Sequence, residues 1–382
     1  MIIFEPQCIG FVHVEVNAAY IISIRKAFPL ANIDFIGEFE HLEMLKNRLK
    51  SYSENITFTS IEIPNPNHSY FNRLFVELKN IYYVYSLLKK KKTNLFVLSI
   101  TSATLLGIKI FGIGLKQKVL IVVHGILETI KRSPEGLLKK LFWFKYYLVL
   151  CNRKNLLYIF NSEFIENNVL ELYPSLKFNS VSIDLPYIFD VFIQKENKIL
   201  EFRKIILGSA GVASVSKGSQ YIFKLANDVL LINKKTNIEF IYIGHFVDPV
   251  INNFVNDNVT IPSKEIPLSK FEYEKYFLSI DYLVLFYPHD SYSFGISGVF
   301  LDAVKYEKPI IAIKSKFFDY YFGKYGKLGW LCKDYNEVLE LVLDLTKGNR
   351  DEERKIIISN FRKIKSDISD INQINRIRKV FA

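Results

Sequence analysis

The sequence predicts an α/β protein made of two doubly wound, parallel-sheet domains. Short apolar runs rich in Ile, Val, Leu and Phe alternate with longer helical patterns along almost the whole chain. Apolar runs without polar alternation are typical of parallel strands covered on both faces, and alternating strands and helices indicate βαβ units. The pattern restarts after a polar stretch near residues 186–200, and a length of 382 residues suits two domains of ordinary size.

The first domain is predicted to span residues 1–188 and the second residues 189–355, followed by a charged helix over 356–382. The strands predicted in the first domain are Ile2–Glu5, Ile33–Ile36, Ile56–Ile63, Leu95–Ile100, Val119–Val123, Leu157–Phe160 and Val181–Leu185. Those predicted in the second domain are Ile205–Leu207, Phe240–Ile243, Val259–Ile261, Tyr282–Phe286 and Ile310–Ile313. Helices are predicted at Lys217–Leu231, Lys270–Ser279 and Val299–Tyr306.

The composition narrows the choice of partner and compartment. Lysine and arginine number 50 against 39 acidic residues, a net charge of +11, which favours nucleic acid, anionic lipid or a nucleotide as partner. The bias toward Ile, Lys, Asn, Phe and Tyr that an AT-rich genome produces explains the surplus equally well. Cys8, Cys151 and Cys332 are far apart in sequence and odd in number, so neither a disulfide framework nor a zinc-site spacing can be read from them. With no signal-peptide pattern and no long apolar run, we expect a cytoplasmic protein.

Residues 288–312 predict a strand, a polar loop, a helix and another strand. Ser297 and Gly298 stand where the helix begins, and free N–H groups at a helix N-terminus suit a diphosphate. Gly298 would let a ligand approach the backbone closely. Asp302 lies about one turn further on, where it could accept hydrogen bonds from ribose hydroxyls. An ordinary βαβ unit with a serine cap accounts for the same residues.

This segment resembles the nucleotide-sugar site of GT-B glycosyltransferases, especially the family-four-like group (glycosyl transferases group 1). That group has an acidic residue, a Gly-rich turn, a second acidic residue eight positions on, then Ala and a Gly-Lys-Pro-Val-Ile-like strand. Asp302-Ala303 and Lys308–Ala312 match the second half of this pattern, and Ser297–Ala303 is close to a known variant. The first acidic position falls on Phe294, so the acidic pair is absent. A different sugar, or Asp290 from a shifted loop, would account for the change.

A second match to the group lies over residues 206–226, where a strand, a Gly-rich turn and an apolar helix surround Lys217-Gly218. The resemblance implies that Lys217 reaches the diphosphate and offsets the charge of the leaving group. It also implies that Gly211 and Gly244 follow the strands of the donor site. Gly211 stands where the group often has an Arg, so one of two expected cations is missing. A solvated Lys at a helix start is the alternative.

In the first domain, His124 follows an apolar strand. The resemblance implies that His124 hydrogen-bonds the donor sugar or phosphate, so His124 and Lys217 are the candidate catalytic residues. Gly10, His13 and Glu15 follow the first strand, where the loop of the resembling enzymes lines the acceptor side. A core histidine at position 124 and a helix-start carboxylate at Glu15 are the alternatives.

The resemblance as a whole implies two Rossmann-like domains facing a cleft, with the helix over 356–382 crossing back toward the first. It implies transfer of a hexose from a nucleotide-diphosphate donor to a glycan or lipid-linked acceptor in cell-surface polysaccharide or lipopolysaccharide synthesis. It further implies retention of anomeric configuration and no cofactor besides the donor substrate. The sequence contains no Asp-x-Asp motif, so we expect a metal-independent site. Alternatives are a non-catalytic binding protein, a sugar-nucleotide epimerase or hydrolase, and a nucleic-acid binder, for which no motif is present.

Basic and aromatic residues mix over Leu137–Leu150 and again over Tyr85–Lys92. Such a mixture suits a helix at an anionic bilayer surface. A helix that covers the sheet, with lysines extending to solvent, explains it equally well. We expect peripheral association with the inner face of the cytoplasmic membrane.

Overall fold

A computed structural model describes residues 1–63, 70–90, 93–131, 133–136, 140, 143–189, 204–346, 350–368 and 370–381. The chain divides into two compact units. The first unit comprises Met1–Ile188, Ser293–Ile296 and Ile368–Ala382, and the second comprises Phe189–Tyr292 and Ser297–Asp367.

The first unit contains a parallel sheet with helices between the strands. Its strands are β1 (Ile2–Phe4), β2 (Ile33–Glu38), β3 (Ile56–Ile61), β4 (Leu95–Val97), β5 (Val119–Val122), β6 (Leu156–Phe160) and β7 (Ser180–Ser182). The helices are α1 (Val14–Ala27), α2 (Phe39–Leu49), α3 (Tyr70–Leu88), α4 (Ser102–Phe111), α5 (Phe144–Val149) and α6 (Glu163–Leu172). The strands lie in the order β3-β2-β1-β4-β5-β6-β7, and neighbouring strands are parallel.

The second unit repeats this architecture. Its strands are β8 (Ile205–Ala210), β9 (Ile238–Ile243), β10 (Val259–Thr260), β11 (Tyr282–Leu285), β12 (Ile310–Ile313) and β13 (Gly329–Cys332). The helices are α7 (Tyr221–Ile232), α8 (Lys270–Ser279), α9 (Gly298–Tyr306), α10 (Lys316–Tyr325), α11 (Tyr335–Asp344) and α12 (Asp351–Asp367). The strand order is β10-β9-β8-β11-β12-β13, again parallel.

Both sheets confirm the predicted doubly wound α/β class. Strand order reverses between β1 and β4 in the first unit and between β8 and β11 in the second. Outside the carboxyl ends of the strands at such a reversal, connections leave toward opposite faces of the sheet and open a crevice. Each unit therefore has one such position where a ligand is expected.

Apolar strands form the centre of each unit, as their lack of alternation predicts. Every residue of β1, β4 and β5 is buried, because helices cover both faces of a parallel sheet. In the second unit, Phe223 of α7 packs with Tyr242 of β9 in a cluster that also contains Leu207 of β8. Burial of these side chains holds the strand ends, and the turns after them, in place.

Three local features differ from the sequence expectations. Strand β13 was not expected. The helix predicted from Lys217 begins at Tyr221, because Val215–Lys217 forms a 3-10 turn and Gly218 has a φ of 73°. The charged stretch predicted as one helix forms two, α12 in the second unit and α13 (Asp370–Phe381) in the first.

The two C-terminal helices separate because their apolar residues belong to different cores. Ile357, Phe361 and Ile364 of α12 are buried. In α13, the ring of Phe381 packs against Phe28 and Phe96 of the first unit.

Among the residues described above, no helix is long and apolar enough to cross a membrane. Residues 137–139, 141 and 142 of the basic, aromatic stretch over 137–150 lie outside the described residues, as do Lys91 and Lys92. The described part of that stretch includes helix α5.

Candidate functional site

A pocket in the second unit opens at the carboxyl ends of β8 and β11, where the strand order reverses. It is formed by the turns that follow these two strands and by the start of α9. The residues that line it are Ser209, Ala210, Gly211, Val212, Lys217, Gly218, Ser219, Leu285, Phe286, Tyr287, Tyr292, Gly298 and Val299. This is the position at which doubly wound sheets bind ligands.

Lys217 gives the pocket its charge. It is the only charged residue among those that line the pocket, and within the described part of the chain its ammonium has no ion-pair partner. Burial lowers the pKa of Lys217, because a charged group that loses hydration is disfavoured. A bound anion would supply the missing partner.

The start of α9 adds hydrogen-bond donors to the same pocket. Ser297 caps the helix, its Oγ accepting from Phe300 N at 3.2 Å and lying 2.8 Å from Tyr287 Oη. Ser297 is fully buried, so its hydroxyl serves the helix. Gly298 is exposed, and a Cβ there would meet nothing within 4 Å. The N–H groups of the first helical turn have no intrahelical acceptor and carry partial positive charge, so they favour an anion.

Glycines let the surrounding turns approach one another closely. Gly218 has a φ of 73°, and a Cβ there would lie 2.1 Å from Phe286 O. A Cβ on Gly244 would lie 1.9 Å from Gly211 O. Gly244 therefore packs against the turn after β8 and is not itself part of the pocket lining.

Tyr242 fastens the turn that carries Lys217. Its hydroxyl lies 3.2 Å from Gly211 O and 3.2 Å from Ser219 Oγ, and Ser219 Oγ accepts from Ser214 N at 3.1 Å. Burial raises the pKa of Tyr242 to about 12, so the hydroxyl remains a donor. Both ends of the turn over 211–219 are thus tied to one side chain.

Asp302 lies further along α9 and does not line the pocket. Its Oδ2 accepts a hydrogen bond from the Tyr273 hydroxyl at 2.7 Å. Phe294, at the first acidic position of the group pattern, is buried in the first unit, where its N–H donates to Glu128 Oε1 at 3.1 Å. Asp290 is exposed, and its Oδ1 lies 3.2 Å from His289 Nδ1.

The first unit contains a second polar cluster at the carboxyl ends of its strands. The rings of His13 and His124 meet edge to face with centroids 4.8 Å apart. His124 Nδ1 lies 3.3 Å from Asn161 Nδ2, and Asn161 Oδ1 accepts from the Tyr20 hydroxyl. Burial lowers the pKa of His13, and burial followed by repulsion from His13 lowers the pKa of His124 to about 4. Two neutral imidazoles and an amide can donate to and accept from hydroxyl groups.

His13 is held in an unusual backbone conformation. Its φ is 54°, in the left-handed region that non-glycine residues rarely adopt. Nearby, Gly10 N–H donates to Glu38 Oε2 at 3.1 Å, and Gly10 O lies 2.8 Å from His41 Nδ1. Such a conformation persists where surrounding contacts fix it, and these bonds fix the loop that ends in His13.

A buried carboxylate, Glu5, supports the beginning of the same loop. Its Oε1 accepts from the N–H groups of Gln7 and Cys8 at 2.9 and 3.1 Å. Its Oε2 accepts from Asn17 Nδ2 at 3.1 Å, and Asn17 Nδ2 lies 3.0 Å from His41 Nε2. Glu5 and His41 are both buried, so this network orders the loop from beneath.

Glu15 lies outside that network. Arg48 Nε donates to its two carboxylate oxygens at 2.9 and 3.0 Å, and the pair is exposed. Within the described residues, no group of three or more His, Cys, Asp and Glu side chains is placed to hold a metal ion.

Comparison with solved structures relates this architecture to known proteins. No protein-family model matches the sequence, and no curated protein sequence matches it. HepE from Anabaena, solved with UDP and glucose, is 12% identical, with 99% of this chain and 98% of that chain covered and a TM-score of 0.64. A glycosyltransferase from Rickettsia africae is 12% identical, with 100% and 97% covered and a TM-score of 0.67. TarM from S. aureus, solved with UDP, fondaparinux and α-GlcNAc-glycerol, is 13% identical, with 100% and 99% covered and a TM-score of 0.64.

The chain has the GT-B fold. These solved GT-B structures are matched over nearly their whole length, a match that includes both parallel sheets. The predicted GT-B architecture of two Rossmann-like domains is therefore confirmed.

The GT-B chain groups the residues singled out from its sequence in two places. Gly211, Lys217, Gly218 and Gly298 line one pocket, with Ser297 directly before Gly298. In the first unit, His124 contacts His13, and the loop before His13 includes Gly10. The residues found away from these two places are Gly244, Asp302 and Glu15.

Several residues of both places were not singled out from the sequence. Tyr242, Tyr287 and Tyr292 belong to or support the pocket, and Glu5, His41 and Asn161 support the histidine pair. Glu5 and Asn161 directly follow β1 and β6. A polar residue directly after an apolar strand was the signal that could have revealed them, as it revealed His124.

Proposed function

We propose that this protein is a glycosyltransferase that moves a sugar from a nucleotide-diphosphate donor to a glycan or lipid-linked acceptor. The main observation behind the proposal is the position of Lys217. Its ammonium is partly buried and has no ion-pair partner in the described chain, and it lines a pocket whose other wall is the start of α9. A cation and a helix N-terminus on one pocket are complementary to a diphosphate. The GT-B fold supports the proposal, since HepE and TarM were both solved with UDP.

The chemistry assigned to the pocket is stabilisation of a leaving diphosphate. The bond between the anomeric carbon and the phosphate oxygen breaks, and the electron pair leaves with the phosphate. Lys217 and the N–H groups of Gly298 and Val299 stabilise that charge, which grows toward the transition state. The acceptor oxygen bonds the anomeric carbon, and its proton passes to the leaving phosphate. This scheme retains configuration and uses neither a metal ion nor a protein base.

The neutral histidine pair of the first unit is assigned to sugar hydroxyls. His13 and His124 each offer a ring donor or acceptor, and Asn161 Nδ2 is a further donor 3.3 Å from His124 Nδ1. Uncharged groups bind hydroxyls without the cost of desolvating a buried charge. His124 is assigned to the donor sugar and the loop of Gly10 and His13 to the acceptor. Asp302 and Glu15 are assigned weaker contacts, since Tyr273 and Arg48 already bond them.

The proposal also covers the substrates and the location of the reaction. The transferred sugar is a hexose, and the acceptor belongs to cell-surface polysaccharide or lipopolysaccharide synthesis. The protein is cytoplasmic and associates with the membrane surface. If the acceptor is a growing glycan or a glycolipid, the transferred sugar becomes part of such a polymer.

The test combines ligand binding with turnover. Thermal-shift screening against UDP-, GDP- and CMP-linked sugars identifies the donor, because a ligand that binds the folded state raises Tm. Lys217→Ala should then lower transfer by about tenfold to a thousandfold. Lys224→Ala is the matched control, since Lys224 is an exposed lysine on α7 that pairs with Asp228 and should transfer like the wild type.

Three outcomes would contradict the proposal. Wild-type transfer by Lys217→Ala would remove the lysine from the mechanism. Nucleotide binding without transfer to any acceptor would indicate a binding protein. Consumption of the donor at the same rate without acceptor would indicate an epimerase or hydrolase.

A further inference from the structure

The loop over residues 5–13 and the start of α2 contain three carboxylates with no cationic partner. Glu5 follows β1, Glu38 ends β2, and Glu40 lies in the first turn of α2. Strands β1 and β2 are neighbours in the sheet, so the three carboxylates stand at one edge. The sequence has no Lys or Arg in the loop or in the first two turns of α2, and among the described residues none of the three forms an ion pair.

Two contacts bring the start of α2 against this loop. Gly10 N–H donates to Glu38 Oε2 at 3.1 Å, and a Cβ on Gly10 would lie 3.5 Å from Glu40 Oε2. Burial raises the pKa of Glu38, but the backbone N–H groups that donate to it lower the pKa more, so the net shift is downward. Glu38 is therefore ionised at neutral pH, and the loop lies in a negative field.

This negative field extends to the histidine pair. Burial lowers the pKa of His13, and the charge of Glu5 opposes that shift. Glu5 is buried, so salt screens its charge less than that of an exposed group. Lys46 and Arg48 of α2 each pair with a glutamate. A negatively charged ligand at His13 would therefore be repelled by Glu5 and would find a neutral imidazole in place of a cation.

Two phenylalanine rings lie exposed beside these carboxylates. Phe11 directly follows Gly10 and is 71% exposed, and Phe39, between Glu38 and Glu40, is 61% exposed. Because Gly10 contacts both glutamates, the two rings belong to adjoining segments. A sugar ring has faces of C–H groups, which the negative face of an aromatic ring attracts. Its edges carry hydroxyls, which imidazoles and carboxylates can bind.

We propose that the loop over residues 5–13 and the start of α2 form an acceptor subsite that takes an uncharged sugar and rejects acidic ones. Phe11 stacks on the C–H face of the sugar, and Glu40 accepts hydrogen bonds from its hydroxyls. The carboxylates repel uronic acids and sugar phosphates, which makes the subsite selective. The net charge of +11 would favour the opposite preference for the chain as a whole. The inference rests on the proposed function, because it names the chemical class of that reaction's acceptor.

Titration of the full chain with methyl glycosides, with no nucleotide present, tests this inference. Three matched pairs are used: methyl glucoside with methyl glucuronide, methyl galactoside with methyl galacturonide, and methyl N-acetylglucosaminide with its 6-phosphate. The ring signals of His13 and His124, followed by NMR in histidine-labelled protein, report binding. At least one neutral glycoside should bind, and its acidic partner should bind about tenfold or more weakly at low salt. High salt should reduce this difference.

Two substitutions separate stacking from charge. Phe11→Ala should weaken binding of the neutral glycoside by about fivefold or more, since the stacking surface is lost. Glu40→Lys should reduce the discrimination against the acidic partner by about fivefold or more. The matched controls are Phe178→Ala and Glu171→Lys. Phe178 is 87% exposed and precedes β7, at the opposite end of the sheet, and Glu171 is exposed near the end of α6. Both controls should bind glycosides like the wild type.

The inference is overturned by any of three results. One is an acidic glycoside that binds as tightly as its neutral partner. Another is a loss of binding with Phe178→Ala equal to that with Phe11→Ala. The last is the absence of any response of both histidine signals to all six glycosides.

Two further measurements keep this inference separate from the transferase proposal. Tm of each variant shows that it is folded. Diphosphate binding and transfer are measured on the wild type and Lys217→Ala. Selective glycoside binding without transfer would contradict the transferase proposal alone. Transfer that depends on Lys217 but uses acidic and neutral acceptors equally would overturn the acceptor inference alone.

Discussion

Acid sensitivity of the first unit should depend on His124. An ordinary histidine has a pKa of about 6.5, whereas burial and the neighbouring His13 lower the pKa of His124 to about 4. Between these values the unfolded chain binds a proton that the folded chain does not. Stability contributed by the neutral ring is therefore fully present above about pH 6.5 and is lost as the pH falls toward 4.

The size of the effect follows from the two pKa values. Integrating the difference from pH 7 to pH 5 gives a loss of about 2 kcal/mol in the free energy of unfolding. Because the ring of His124 is partly exposed, solvent screening reduces this, and we expect about 1–2 kcal/mol. His124→Asn removes the titrating group but keeps a polar side chain beside Asn161. The variant should lose correspondingly less stability on acidification than the wild type.

Native-state amide hydrogen exchange in β5 measures this loss directly, because β5 is buried in the first unit and precedes His124. The free energy of opening is compared at pH 7 and pH 5 after correction for intrinsic exchange rates. His289→Asn is the control, since His289 is exposed in the second unit. Equal acid sensitivity in the wild type and His124→Asn would refute the assignment of a neutral, half-buried ring.

Two further predictions concern the turn that carries Lys217. Gly218→Ala should destabilise the second unit by about 2–4 kcal/mol, because an alanine there would have a left-handed φ and a Cβ 2.1 Å from Phe286 O. Urea unfolding measures the loss of stability, and a loss below about 1 kcal/mol would count against this prediction. Tyr242→Phe should cost about 1–3 kcal/mol, since Gly211 O and Ser219 Oγ lose a buried partner. Tyr242→Phe should also weaken nucleotide binding, measured by calorimetry. Unchanged affinity would show that the Tyr242 hydroxyl is not needed to hold the turn in its binding conformation.

The sheet topology could be predicted because each strand has its own local signal. Apolar runs such as Leu95–Val97 and Val119–Val122 need helices on both faces, whatever the rest of the chain does. Strand β13 was not predicted because it is short and begins with a glycine. Gly329 is there because a Cβ would lie 1.9 Å from Ile310 O. That reason is visible only once β12 and β13 are paired.

The residues of the candidate site that belong to a local sequence motif could be predicted. The residues that support the site from distant positions in the sequence could not. Lys217 and Gly298 stand in segments with a recognisable pattern, although Lys217 lies in a turn before the helix and not on it. Tyr242 supports that turn from the neighbouring strand, and Glu5 bonds Ser99, 94 positions away. Such contacts depend on strand order, which local periodicity does not specify.

The central claim is that Lys217 binds the diphosphate of a nucleotide in the second-unit pocket. Calorimetric titration with a nucleoside and with its diphosphate, for the wild type and Lys217→Ala, separates the phosphate contribution from that of the base and ribose. We expect the substitution to weaken diphosphate binding by roughly tenfold to a hundredfold, as loss of a charge-assisted hydrogen bond requires, and to leave nucleoside binding unchanged. Equal affinities of the two proteins for the diphosphate, or an equal loss for both ligands, would contradict the claim.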